Sequence, residues 1–201
     1  MPDYLSCLGQ TRPGLSFDLM VDSTDSMRNA LVARELDLAF LMGPVAEVSV
    51  TNRDLCAFGM VFAAAPEVTT RHAHWSLADI AAETVLTFAA DTKPSRQIRE
   101  LLAKHSTTLP AMTTSSSLGA LVRLASSGFG ICAVPEKVIG PELDSGSLEL
   151  LKTDAVLPPI AFTASYVSGS PASRLMEDLT KEAVAFLHEN PLRTQAGHSV
   201  V

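Results

Sequence analysis

Strand-like and helix-like hydrophobic patterns alternate along nearly the whole chain, and this alternation constrains its fold more than any other feature. Leu15, Phe17, Leu19 and Val21 alternate with Ser16, Asp18 and Met20. That period predicts a strand with one strongly apolar face. The cluster Asp22-Ser23-Thr24-Asp25-Ser26 follows and supplies N-cap residues. Met27, Ala30, Leu31 and Arg34 then share one helical face, and the short apolar run Leu36 to Met42 stops at Gly43-Pro44. Strand, helix and buried strand in this order predict a βαβ unit with parallel strands.

The same order recurs downstream. Met60 to Ala65 reads as a strand ended by Pro66, and Val85 to Ala89 as another. The polar loop Asp91-Thr92-Lys93-Pro94-Ser95 leads into a helix carrying Ile98, Leu101 and Leu102. Ala111 to Thr114 is a short strand, after which Ser115-Ser116-Ser117 opens a helix with Leu118, Leu121, Val122 and Ala125 on one face. Gly128 and Gly130 end that helix, Ile131 to Val134 is a buried strand, and Ile160 to Val167 is the last strong one. Leu175, Leu179, Ala183, Phe186 and Leu187 mark a closing amphipathic helix. The expected class is α/β with mostly parallel sheets and flanking helices.

Composition narrows the function. The 201 residues carry 15 Lys+Arg against 22 Asp+Glu, a net charge of −7 that repels phosphate polyanions. The 47% hydrophobic content suits one ordinary domain or two small lobes and excludes low-complexity disorder. The longest apolar stretch, Leu55 to Ala65, falls short of the roughly 20 residues a membrane span needs. The start, Met1-Pro2-Asp3-Tyr4, has no basic region followed by an apolar core. Cys7, Cys56 and Cys132 are odd in number, widely spaced and set among apolar residues. They read as reduced cysteines of a cytoplasmic protein.

Catalytic patterns are missing: there is no Gly-x-Ser-x-Gly elbow, no P-loop and no His-Glu-x-x-His. Ser127-Gly128-Phe129-Gly130 follows a helix and precedes a strand, the reverse of a dinucleotide loop, so a helix C-cap accounts for it. His72 and His74 lie two apart in the loop around Trp75 with no third metal ligand nearby in sequence, and no cofactor is expected. What remains is a set of hydroxyl-rich clusters at carboxyl ends of strands: Ser23-Thr24, the Asp91 to Ser95 loop, and Ser115-Ser116-Ser117. Ligands of open α/β sheets bind at such ends, where helix N-termini favour anions. Each cluster also serves as a helix cap. With no activated nucleophile or metal, a shared cleft there is built to bind and not to transform, so no enzyme is expected.

Two segments resemble a known family. Met27-Arg28-Asn29-Ala30-Leu31-Val32-Ala33-Arg34-Glu35-Leu36-Asp37-Leu38-Ala39-Phe40 resembles the "L…G-x-L-D-L-A" pattern of LysR-type transcriptional regulators. Leu121 to Pro135 resembles their "L-V-x-x-G-x-G-I-x-x-x-P". The order and spacing of both segments fit, as do Val61-Phe62-Ala63-Ala64-Ala65-Pro66 and the closing helix, so the similarity covers roughly residues 1 to 189.

The resemblance implies the effector-binding half of such a regulator, a two-lobed fold like type II periplasmic binding proteins. Lobe one would hold residues 1–64 and 164–190, lobe two residues 65–163, and residues 191–201 would form a disordered tail. The crossings would lie near Ala63-Ala64-Ala65 and Phe162-Thr163-Ala164. A small effector, a carboxylate or other anion, would bind in the interlobe cleft, and the chain would form homodimers. Family pocket positions carry over to Thr24, Gly43, Thr92, Ser115 and Ser116. DNA would be reached only through the family's winged helix-turn-helix, which this sequence does not include. The family's first effector-domain strand is also expected to be missing, the chain opening in a helix over Pro2 to Leu8. In the family that strand lies between the strands read at 15–21 and 36–42. The expected function is therefore effector sensing and dimerisation in a regulator. The other reading that the residues leave open is a free-standing cytosolic solute-binding or interaction protein.

Overall fold

In the computed structural model, which describes residues 2–105 and 110–189, the chain divides into two units. The first comprises Met1–Ala57 and Ala161–Val201, the second Phe58–Ile160. The elements in chain order are α1 (Pro2–Thr11), α2 (Thr24–Val32), β1 (Leu38–Met42), β2 (Val50–Phe58), β3 (Met60–Ala64), α3 (Pro66–Thr69), α4 (Leu77–Ala82) and β4 (Val85–Phe88). They continue with α5 (Lys93–Ala103), β5 (Met112–Ser115), α6 (Leu118–Ser126), β6 (Ile131–Pro135), α7 (Gly140–Ser145), β7 (Glu149–Leu150), β8 (Ile160–Val167) and α8 (Ser173–Glu189).

The first unit is built on a three-stranded sheet in the order β1-β8-β2. Alternation along β1 sends Ala39 and Leu41 into a cluster with Leu31 of α2, Val45 and Val167. Leu38 and Phe40 pack instead against a second cluster that holds Tyr4 and Leu8 of α1, Leu55 of β2, and Met176 and Leu179 of α8. The Tyr4 hydroxyl donates to the Leu179 carbonyl at 2.6 Å, tying α1 to α8 inside this cluster.

The second unit carries a five-stranded sheet in the order β5-β4-β6-β3-β7. Here β4 lies parallel to both β5 and β6, whereas β3 runs antiparallel to β6 and β7. Ala63, Leu86, Leu121, Cys132 and Val134 form its core with Ile139 and Leu148. Trp75 is buried, its indole N–H donating to the Thr69 carbonyl at 3.2 Å. Gly128 has φ +76° just past the end of α6, and the N–H groups of Gly128 and Phe129 bond back to the carbonyls of Ala125 and Leu124. That is the C-cap expected from the sequence.

Three expectations change. Residues 15–21 form no strand: among the described residues no backbone hydrogen bond is made from Ser16 to Val21, and β1 pairs with β8 alone. An alternating pattern makes a strand only where a neighbour completes its ladder. The βαβ unit read there is therefore absent, and β1 runs antiparallel to β8, with Leu38 opposite Tyr166 and Met42 opposite Phe162. The sheets are accordingly mixed within the expected α/β class. Finally, the chain passes between units at Ala57–Phe58, ahead of the expected Ala63-Ala64-Ala65, because Met60 to Ala63 pair with β6. The return falls at Ile160–Ala161, just ahead of the expected Phe162-Thr163-Ala164. The tail expected over 191–201 lies outside the described residues. Among the described residues, no helix is long and apolar enough to cross a membrane.

Candidate functional site

In the second unit two helices open side by side from adjacent parallel strands. The register of β4 and β5 sets Phe88 opposite Ser115, so both strands end at the same edge of the sheet. Beyond Phe88 a tight turn brings the chain to Thr92, the N-cap of α5. The Thr92 hydroxyl donates to the Ala89 carbonyl at 2.7 Å and accepts from the Ser95 N–H at 3.4 Å. Pro94 sits in the first turn of α5, where its missing N–H costs no intrahelical bond. Beyond Ser115, Ser117 is the N-cap of α6 and accepts from the Ala120 N–H at 3.3 Å. The Ser115 hydroxyl accepts from the Ser117 N–H at 3.0 Å, and the Ser116 hydroxyl is exposed, with no partner among the described residues.

At these ends the exposed Asp91, just ahead of the α5 cap, is outnumbered by Lys93 and Arg96, so the local charge balance favours an anion. Neither α5 nor α6 has an acidic residue in its first turn. Lys93 and Arg96 are exposed at the start of α5, with an Arg96 guanidinium N–H donating to the Asp91 carbonyl. The first four N–H groups of α6, and the first three of α5, where Pro94 has none, lack intrahelical partners and carry partial positive charge. Capping side chains occupy some of them and leave the rest for solvent or a ligand.

The first unit differs. Ser23 caps α2, its hydroxyl accepting from the Ser26 N–H at 3.2 Å. Asp22 lies at the same end and accepts from the Ser23 N–H at 2.6 Å and the Ser26 hydroxyl at 2.8 Å. The Ser23 backbone bond, then the Ser26 hydroxyl, hold its carboxyl below the ordinary value. With Asp25 in the first turn, this helix end already faces two carboxylates and disfavours a further anion. Thr24 is half-buried, and its hydroxyl has no partner among the described residues. Gly43 closes β1 at φ +73°, its N–H donating to the Ala161 carbonyl at 2.9 Å and its carbonyl accepting from the Thr163 hydroxyl at 2.7 Å.

Of the sequence-predicted positions, Thr92, Ser115 and Ser116 fall at one edge of the second unit's sheet, whereas Thr24 opens α2 and Gly43 follows β1 in the first unit. Two features escaped the sequence reading. Ser95, in the first turn of α5, is fully buried with an unpartnered hydroxyl. Thr163, Ser165 and Asn52 form a chain of hydrogen bonds behind Gly43: the Ser165 hydroxyl lies 3.1 Å from that of Thr163 and donates to the Asn52 side-chain oxygen at 2.7 Å. Asn52 in turn makes two 2.9 Å bonds to the Val45 backbone. The Ser95 signal, a serine just inside a capped helix, is common in sequences, and the network joins residues more than a hundred positions apart.

Residues weighed for chemistry are otherwise engaged. The His72 ring packs against Trp75 at 4.5 Å, and His74 Nε2 lies 3.2 Å from the Asp154 carboxylate. Burial pushes the Cys132 thiol up to about 12, which keeps it protonated. A cavity of about 550 Å³ lies in the first unit beside α1 and α8, lined by Tyr4, Cys7, Arg12 and Glu182 among others. It holds none of the predicted positions, and its Arg12 and Glu182 form an ion pair with each other.

Comparison with known proteins gives a consistent result. The model of the LysR substrate binding domain matches residues 1–187. None of the curated proteins matches the chain. Among solved structures, the regulatory domain of CcmR from Synechocystis PCC6803 in complex with 2-PG is 16% identical, with a TM-score of 0.75 over 92% of this chain and 89% of that one. The regulatory domain of MetR, a LysR family regulator from N. meningitidis, is 18% identical with a TM-score of 0.74, over 94% and 87%. The effector binding domain of QuiR in complex with shikimate is 18% identical with a TM-score of 0.72, over 94% and 90%. At these identities the structural likeness concerns the fold.

Proposed function

This chain belongs to the LysR substrate-binding domain family, and from that premise we propose that it senses a small carboxylate or related anion in the cytoplasm and turns over no substrate. The observation that carries the reading is the pair of helix ends at the β4–β5 edge, rich in hydroxyls and free of carboxylates in their first turns. Thr92, Ser115 and Ser116 are the proposed contacts there, with the exposed Lys93 adding positive charge. Thr24 and Gly43 are proposed as a second set of effector contacts from the first unit, through a hydroxyl and a turn rather than charge. The CcmR and QuiR domains, in complex with 2-PG and shikimate respectively, support a small-molecule effector.

Sensing requires that the effector favour one state of the regulator, since equal affinity for two states shifts neither. The chain is proposed to do this as a homodimer, while a separate domain reads DNA. Titration calorimetry with a panel of small carboxylates, shikimate included, tests the proposal. We expect saturable binding by at least one member and none by its amide or alcohol analogue. A folded chain that binds no member, or binds the neutral analogue equally well, contradicts it. Ultracentrifugation with and without the bound carboxylate tests the dimer.

A further inference from the structure

Helix α5 keeps its packing and its charge on opposite faces. Pro94, Ser95, Ile98 and Leu102 are buried, and that face packs on α4 and β4 of the second unit. The other face exposes Lys93, Arg96, Arg99 and, at the C-cap, Lys104, against the single carboxylate of Glu100. In a chain of net charge −7 this is a local concentration of the opposite sign. Helix stability does not account for it. Lys93 and Arg96 stand at the N-terminal end, where a cation opposes the helix dipole, and only Lys104 stands where the dipole favours one. On α2 and α8 exposed cations pair with carboxylates one turn away, Arg28 with Asp25 and Lys181 with Glu177. Glu100 lies four residues from both Arg96 and Lys104 yet pairs with neither. Among the described residues Lys93, Arg99 and Lys104 have no carboxylate partner at all.

We propose that the solvent face of α5 is a docking surface for a short acidic segment of a partner polypeptide. Unpaired cations on one helix face meet a run of carboxylates with complementary charge, and arginine takes a carboxylate through two parallel hydrogen bonds. From Lys93 to Lys104 the helix advances about 16 Å, which an extended segment of about five residues spans. A nucleic-acid duplex fits less well. It would reach past the helix onto a chain whose remaining carboxylates outnumber its cations still more strongly. Arg99 and Lys104 lie about two and three turns beyond Lys93, so the surface extends away from the effector contacts proposed at the β4–β5 edge.

The test uses the full chain and a fluorescent peptide of five alternating glutamates and aspartates, followed by anisotropy. Saturable binding is expected, and none by the peptide with glutamine and asparagine in their place. Raising the salt from about 0.05 to about 0.3 M should weaken binding, because the contacts are exposed ion pairs. Each such pair is worth only a few-fold, so the double variant Arg99→Gln with Lys104→Gln should weaken it about fivefold or more. Both side chains are exposed and glutamine is a comparable helix former, so folding should survive; unchanged circular dichroism checks this. Four results overturn the proposal. The folded chain may bind no peptide, or the double variant may bind it as well as the parent, which would put the site elsewhere. A duplex of about 20 base pairs may displace the peptide as readily as unlabelled peptide does, which would make the face a nucleic-acid contact. Finally, the free chain may double in mass and the double variant not, which would mean that a second copy already covers α5.

Discussion

The Thr163 hydroxyl donates to the Gly43 carbonyl across 2.7 Å, fixing a turn with φ +73° at the end of β1 to a strand that arrives much later in the chain. Behind it, Ser165 and Asn52 continue the hydrogen bonds to the Val45 backbone, and both Thr163 and Ser165 are buried. A proposed effector-contacting turn is thus held from below by polar groups whose partners are all protein atoms.

Thr163→Val keeps the shape and leaves the part-buried Gly43 carbonyl without its donor. The expected loss is about 1–3 kcal/mol in urea unfolding. Asn52→Ala should cost a similar amount, and the double variant less than the sum, because both belong to one network. Strict additivity would show that the two side chains act independently.

Gly130→Ala should be the most damaging glycine substitution of the α6–β6 connection. An added Cβ meets the Thr84 carbonyl oxygen at 2.2 Å, and that oxygen already accepts the Ile131 N–H at 2.9 Å. Since backbone must move, a loss at the upper end of the roughly 1–3 kcal/mol typical of overpacking is expected. At Gly128 the added carbon meets a side-chain oxygen of Glu67, which can swing away, so Gly128→Ala should cost mainly the strain of φ +76°, about 1–2 kcal/mol. Thermal or urea unfolding of the two variants checks the order.

Stability should fall on the alkaline side. Burial raises the Cys132 thiol from 9.0 to about 12. Burial, followed by the nearby Glu182, raises the Tyr4 phenol from 10.0 to about 12. The unfolded chain ionises first as pH rises while the folded chain keeps both protons. Their contribution is therefore complete below pH 9.0 and is lost as the pH climbs through about 12. Unfolding free energy should decline across that window, with a shallower slope in Cys132→Ala. At pH 8 native Cys132 should resist alkylation that modifies it in urea, as read by mass spectrometry.

Amides of 16–21 should exchange within the dead time of a hydrogen-exchange experiment, while those of β4 and β6 are protected nearly to global unfolding. Protection of Phe17 to Val21 in the free chain would show that the segment is paired after all.

That segment also marks where sequence reading reached its limit. The runs at Met60, Val85, Ile131 and Ile160 were legible because strands buried on both faces are apolar almost continuously. Leu15 to Val21 has a better alternation than any of them, but alternation describes a face, and a strand also needs a neighbour. The converse error is β2, whose Thr51, Asn52, Arg53 and Asp54 give no strand pattern. Asn52 is there to bond the Val45 backbone and Ser165, which the local sequence does not reveal. The parallel pairing expected of β1 failed for the same reason: β8 returns from the far end of the chain to lie against it. Of the candidate site, the helix caps were readable from serine and threonine spacing. Which helix ends already face carboxylates emerged only with the hydrogen bonds of Asp22.

The central claim is that the helix ends at the β4–β5 edge recognise an anion, and Ser116→Asp tests it most directly. Ser116 is exposed, unpartnered and just ahead of the α6 N-cap, so a carboxylate there should leave the unfolding midpoint unchanged or slightly raise it. In calorimetry with the tightest carboxylate of the panel, we expect its affinity to fall about tenfold or more while Ser116→Asn binds nearly as well as the parent chain. Equal affinity of the parent and Ser116→Asp would contradict the account.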